Sequence, residues 1–244
     1  MFSGTYLLAD VPIQIDSLYE EVQLMCADYR TTLAPVVKVN TTHEEIAQES
    51  EISDQQRTLE GLPPCHFPPS YLETLTIYRK IAIALLPKGI MLMHGSVVAV
   101  DGQAYMFTAL SGTGKSTHVA LWRRLFGERA VMVNDDKPLI RISGQEVIVY
   151  GTPWDGKHHL SNNIAVPLKA IVVLCRGKEN EIHSLSAQEI FPTLLQQSFR
   201  TEDPLITMQA LGLLSQLSKQ VSFYQLHCNM DPEAAQVAYD GMNS

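Results

Sequence analysis

The stretch Ala109-Leu-Ser-Gly-Thr-Gly-Lys-Ser-Thr117 sets the fold class of this 244-residue chain. Strand-like sequence, Ala104 to Thr108, runs into it, and a helical pattern, Gly114 to Phe126, runs out of it. Strand, glycine-rich turn and helix in that order is the context in which backbone N–H groups wrap a phosphate. Gly112 and Gly114 put no Cβ in the way of the curl. The helix beyond offers unpaired N–H groups and the positive end of its dipole. Lys115 is a point charge for the β- and γ-phosphates, and the Ser116 hydroxyl is a ligand for Mg²⁺. The expected nucleotide contacts are Ser111, Gly112, Thr113, Gly114, Lys115, Ser116 and Thr117. The usual spacing G-x-x-x-x-G-K-[ST] has glycine where this chain has Ala109, and Gly112 keeps the turn tight in its place.

Working outward, the short apolar strand Val131 to Val133 ends in Asn134-Asp-Asp136. A magnesium–nucleotide site needs a carboxylate on a neighbouring strand. Two adjacent carboxylates on extended backbone point in different directions, so one can hold the ion while the other faces an acceptor. Asp135 is assigned to Mg²⁺ and Asp136 to the acceptor hydroxyl as general base; the two roles can also be exchanged. Only about one helix separates Ser116 from Asp135, a narrower signature than the loop alone. Upstream, His94 follows the strand Ile90 to Met93 and stands ready to stabilise a transferring phosphoryl group or orient Asp136. Downstream, the loop Gly151 to Lys157 brings Trp154 to cover a substrate and Lys157 to meet a phosphate or carboxylate, with Asn163 on the same edge. Arg141 and Arg176 are the candidates for neutralising transition-state charge.

The remaining elements follow from period and punctuation. Ser96 to Val100 and Ala104 to Thr108 form a hairpin through Asp101-Gly102, and Leu139 to Ile142 pairs with Glu146 to Tyr150 through Ser143-Gly144. Ala170 to Leu174 is a buried strand. Tyr71 to Leu86 is a helix, and the tail after Ile206 reads as helical. Thr5 to Ala9 and Val36 to Val39 are strand-like, Asp16 to Tyr29 looks helical, and Thr41 to Leu59 is a solvated helix or loop. Gly61 to Ser70, with four prolines, reads as a linker. The expectation is α/β, a mixed sheet with hairpins flanked by helices. Residues 1–70 form an accessory region and 71–244 a nucleotide-binding catalytic domain.

Composition narrows the partners. The formal charge is −8, from 18 Lys and Arg against 26 Asp and Glu. An acidic chain is a poor non-specific partner for nucleic acid or anionic lipid. The longest apolar run, Ile81 to Leu86, falls far short of the roughly 20 residues that cross a bilayer. The start MFSGTYLLADVP has no basic leader and is interrupted by Asp10, so a cytoplasmic location is expected. The four cysteines are dispersed and form no C-x-x-C pair, which favours inert thiols over zinc or a disulfide framework.

Taken together, His94-Gly95-Ser96, Gly102, Ser111-Gly-Thr-Gly-Lys-Ser116 and Asn134-Asp-Asp136 resemble the HPr kinase/phosphorylase family over roughly residues 90 to 180. The resemblance implies the P-loop core that this family shares with phosphoenolpyruvate carboxykinase. It also implies that His94 lies near the acceptor and that an aspartate of the pair, Asp135 or Asp136, activates a target serine. The segment Tyr150-Gly-Thr-Pro-Trp-Asp-Gly-Lys157 looks like a block found in small proteins similar to HPr kinases.

The function expected is ATP- and Mg²⁺-dependent transfer of the γ-phosphoryl group to a hydroxyl, on a protein or peptide serine or on a small molecule. The rivals are a nucleotide-gated binding module and a plain NTPase. Self-association into a homo-oligomer stays open.

Overall fold

A computed structural model describes residues 1–59, 63–110, 112–198 and 203–243. It divides into two units, Met1–Leu85 and Leu86–Ser244.

In the first unit, β1 (Phe2–Leu8) and β2 (Val11–Ser17) form an antiparallel hairpin closed by Ala9 and Asp10, with Leu8 opposite Val11. Along β2, Val11, Ile13, Ile15 and Ser17 are buried, a period of two. That alternation carries the strand through Ser17, into the stretch expected to be helical from Asp16. The helix there is only α1 (Glu21–Met25), followed by a 3₁₀ turn at Ala27–Tyr29. β3 (Val37–Asn40) joins β2 in parallel, and α2 (His43–Leu59) and α3 (Pro69–Leu85) follow. The fully buried Glu73 of α3 accepts from Leu18 N at 2.6 Å, from Tyr19 N at 2.9 Å and from the Thr41 hydroxyl. A buried carboxylate is tolerated because these donors satisfy it. They tie α3 to the segments after β2 and β3, and the division accordingly falls after Leu85 rather than after residue 70.

The second unit is mixed α/β. In chain order it runs β4 (Ile90–Leu92), β5 (Ser96–Val100), β6 (Gln103–Thr108), α4 (Lys115–Phe126), β7 (Ala130–Asn134), β8 (Leu139–Ser143), β9 (Glu146–Tyr150), β10 (Ala165–Arg176), β11 (Glu181–Leu185), α5 (Ala187–Gln197), α6 (Pro204–Leu217), β12 (Ser222–Cys228) and α7 (Glu233–Asn243). The strands make one mixed sheet in the order β4-β8-β9-β10-β6-β5-β7, with β12 against β10 and β11 against β12. Both expected hairpins, β5–β6 and β8–β9, are present. β10 runs parallel to β6 and to β12. The tail was expected to be helical throughout, and β12 corrects this: seven residues in register with Ala170 to Arg176.

Helices cover both faces of the sheet. Val97, Ala99, Met106 and Ile171 pack with Ile190 and Leu194 of α5 and Leu213 and Leu214 of α6. Val98, Val100, Tyr105, Phe107 and Val172 pack with Val119 and Trp122 of α4 and Ala234 and Ala238 of α7. That is why β5 reads Ser-Val-Val-Ala-Val, apolar at nearly every position instead of alternating. Trp122 anchors α4, with ring centroids 4.9 Å from Tyr105, 5.2 Å from Phe107 and 5.8 Å from Tyr239. Such aromatic pairs contribute about 0.5–1.5 kcal/mol each beyond their buried area. They fix the helix onto which the glycine-rich loop opens. No helix among the described residues is long and apolar enough to cross a membrane.

Candidate active site

The chain leaves β6 at Thr108, passes the buried Ala109 and exposed Leu110, and turns through Gly112 at φ 75° and Gly114 at φ 123°. L side chains rarely adopt such angles, so the curl requires glycine at both positions. Thr113 N donates to Leu110 O at 3.2 Å, closing the turn. Gly114 is the N-cap of α4 and brings no side chain to it. The first-turn amides, those of Lys115, Ser116 and Thr117, therefore have no intrahelical partner. Ser116 is half-buried and Thr117 exposed. Lys115 Nζ folds back to donate to Ala109 O at 3.1 Å. From the end of β10, Arg176 Nη2 donates to Gly112 O at 2.7 Å, so this arginine is tied to the loop. Ser111 lies outside the described residues.

A cleft of about 650 Å³ opens between the loop, the end of β10 and α5, lined among others by Leu110, Gly112, Thr113, Arg176, Thr193 and Gln197. It lies at the carboxyl ends of the parallel pair β6 and β10, where open α/β sheets bind ligands.

Across the sheet, β7 delivers Asn134 and the acidic doublet. The fully buried Asn134 side chain holds two segments together. Its Oδ1 accepts from Asp136 N at 2.8 Å and Lys137 N at 2.7 Å, while its Nδ2 donates to Thr152 O at 2.9 Å and Trp154 O at 3.4 Å. Asp135, nearly buried, accepts from the Ser96 hydroxyl at 2.6 Å. Asp136 is more open. His94 Nδ1 lies 3.4 Å from its Oδ1, and Lys137 Nζ lies 3.4 Å from its Oδ2. Gly95 N donates to Asp136 O at 2.9 Å, and His94 N to Gln197 O at 2.8 Å. The His94-Gly95 link between β4 and β5 thus spans from the doublet to α5. Burial pushes the His94 imidazole down to about 4; Asp136 opposes this, and the ammonium groups of Lys115 and Lys137 add to it. His94 is therefore neutral at pH 7 and stands within electrostatic reach of the lysine of the glycine loop.

The loop after β9 closes the other side. Trp154, expected to cover a substrate, is buried and anchors this loop from beneath. Asp155, also buried, accepts from the Ser161 hydroxyl at 2.8 Å and lies 3.2 Å from His159 Nδ1. Gly156, at φ 71°, packs directly on Asp136: a Cβ there would stand 3.1 Å from Asp136 Cβ. Lys157 and Asn163 are exposed on this loop. Arg141 stands on the β8–β9 hairpin with its guanidinium 5.2 Å from the centroid of the Tyr150 ring. The structure brings His94 against Asp136, ties Arg176 to the glycine loop, and leaves Lys157 exposed next to Gly156, which packs on Asp136. Sequence reasoning missed Lys137, Asp155 and Asn134 as working parts. Lys137 was signalled only by its place next to the doublet, and Asp155 only by the Gly-x-x-x-Asp-Gly spacing of its loop.

No protein-family model and no curated protein matches this chain. Among solved structures it is similar to the Hpr(Ser) kinase/phosphatase from Coxiella burnetii, with a TM-score of 0.34 and 8% identity over 62% of this chain and 95% of that one. What the chain does has to come from its own side chains.

Proposed function

We propose that the chain is an ATP- and Mg²⁺-dependent kinase that transfers the γ-phosphoryl group to an alcohol, using a P-loop core of the HPr kinase type. The glycine loop holds the triphosphate through the amides of Gly112 to Thr117, and Lys115 meets the β- and γ-phosphates. The donor set fits a hard divalent cation: the Ser116 hydroxyl in the first turn of α4 and the Asp135 carboxylate, both oxygen ligands. Bound there with the nucleotide, Mg²⁺ supplies charge neutralisation at the phosphate oxygens.

Asp136 takes the acceptor proton. It is the more open carboxylate of the doublet, and both its oxygens are flanked, by His94 and by Lys137. As the acceptor oxygen bonds to the γ-phosphorus, the bond to the β,γ-bridging oxygen breaks. ADP leaves with that electron pair, and the hydroxyl proton passes to Asp136 Oδ. The His94 imidazole, its Nδ1 3.4 Å from Oδ1, steadies the carboxylate. Positioning and charge supply most of the catalysis in such a transfer.

The observation that carries this reading is the place of His94: its carbonyl accepts from the Thr108 hydroxyl at 3.0 Å, where β6 enters the glycine loop, and its Nδ1 lies 3.4 Å from Asp136 Oδ1. The hydroxyl acceptor is a serine of a peptide or protein, or a small molecule. Asp136→Asn tests the assignment: γ-phosphoryl transfer is expected to fall by about 10²–10⁴-fold, with Mg-ATP affinity within about threefold of the parent by calorimetry. Equal loss of binding and transfer would make Asp136 a metal ligand or structural group instead.

A further inference from the structure

The loop beside Asp136 carries Lys157, His158 and His159 in succession, all exposed. One formal cation followed by two imidazoles, able to donate hydrogen bonds, stands out in a chain of net charge −8. Of the cations outside this loop, Arg79 pairs with Glu49, Lys80 with Glu45, Arg129 with Asp101 and Lys137 with Asp136, and Arg176 donates to the glycine loop.

The chain on either side of this lip is held by hydrogen bonds. Asn134 ties the carbonyls of Thr152 and Trp154, and Trp154 is buried beneath. Asp155 grips Ser161 and His159. His159 sits at φ 50°, a conformation costly for a side chain with a Cβ and retained only where its surroundings enforce it. Gly156 packs against Asp136, and its missing side chain leaves the carboxylate open on this side.

Electrostatics states what such a lip is for. An acceptor entering here meets the Asp136 carboxylate and a γ-phosphoryl group, both negative. A neutral alcohol needs no cation at the entrance, whereas an anionic one does. We propose that the acceptor bears a carboxylate or phosphate near its reactive hydroxyl, and that Lys157, with the His158 and His159 imidazoles as hydrogen-bond donors, holds that anion. The proposal rests on the kinase reading for the word acceptor, though not for the anion site itself. Two sources share this chemistry, a free hydroxy acid or phosphorylated alcohol and a serine flanked by acidic residues in a peptide.

Imidazole NMR signals of His158 and His159 are followed in the full chain during titration with glycerate, glycerol 3-phosphate, an acidic serine peptide, its neutral counterpart and glycerol. Saturable shifts are expected with the anionic probes and not with glycerol or the neutral peptide. The shifts should weaken at least tenfold in affinity in Lys157→Glu, with Lys157→Gln intermediate. Response to the peptide alone assigns the peptide source, and response to the small anions alone assigns the small molecule. Shifts equal for neutral and anionic probes, or absent for all anions, or unchanged in Lys157→Glu, would overturn the anion site. In the same samples Mg-ATP is expected to shift the amides of Gly112, Gly114 and Lys115. Failure of that shift alone removes the kinase reading and leaves the anion site standing.

Discussion

At the scale of single residues, one buried histidine sets a pH dependence of stability. His118, one turn into α4 and nearly fully buried, accepts from Trp122 Nε1 through its Nε2 at 3.1 Å. Its proton therefore sits on Nδ1, and that atom has no hydrogen-bond partner among the described residues. Protonation would place a second donor and a charge in an apolar pocket against Phe107 and Trp122. Burial accordingly pushes its pKa down to about 4 from 6.5. Between those values the unfolded chain holds a proton that the native state refuses. Native stability must rise with pH from about 4 to 6.5 on this account and level off above, at roughly 1.4 kcal/mol per pH unit for the one proton. Carboxylates titrate in the lower part of this range as well, but equally in a variant. His118→Gln keeps an acceptor for Trp122 and removes the titration. Its melting temperature should depend less steeply on pH between 4.5 and 6.5 than that of the parent, and parallel curves would refute the assignment.

At the scale of elements, legibility followed how strongly local chemistry punctuated the chain. Asp101-Gly102 and Ser143-Gly144 carry ordinary hairpin signals, and their strands fell where expected. The β1–β2 hairpin turns through Ala9 and Asp10 at φ 47° and 56°, residues that give no such signal, and β2 was read partly as helix. α5 was hidden by Pro192 in its interior, although Ser186 and Glu189 form a capping box that marks its start. β11 and β12 alternate weakly because much of each is only partly covered. The Ala9-Asp10 turn also predicts an engineered gain. Two left-handed L residues with a two-residue loop match a type I′ turn, for which Asn-Gly is preferred. Ala9 is buried, so the gain belongs to the exposed Asp10: Asp10→Gly should stabilise the full chain by about 1 kcal/mol. Chemical denaturation would show it as a higher midpoint at unchanged slope, and an unchanged or lowered midpoint would contradict the strain argument.

At the scale of the whole molecule, the candidate site was legible because its parts come from turns at one edge of one sheet. The glycine loop leaves β6, Arg176 ends its parallel neighbour β10, and the acidic doublet ends β7. Asn134 and Lys137 were less visible because their work depends on strand order, which no local pattern states. The chain as a whole is acidic at −8, so binding a polyanion requires local cations, and Lys115 at the helix start is the central one. The proposed nucleotide binding is therefore readable in global unfolding. Both tryptophans, Trp122 and Trp154, are buried in the second unit, so their fluorescence reports its melting. A ligand at a hundredfold excess over its Kd that binds only the native state adds about 2.7 kcal/mol. For a protein of this length each kcal/mol moves the midpoint by roughly 2–4 °C. Saturating Mg-ATP should therefore raise the fluorescence melting temperature by about 5–10 °C, and Lys115→Met should remove most of that rise while leaving the ligand-free midpoint close to the parent's. An equal rise in both proteins would move the nucleotide away from the glycine loop, and no rise in the parent at millimolar Mg-ATP would remove the nucleotide from the second unit altogether.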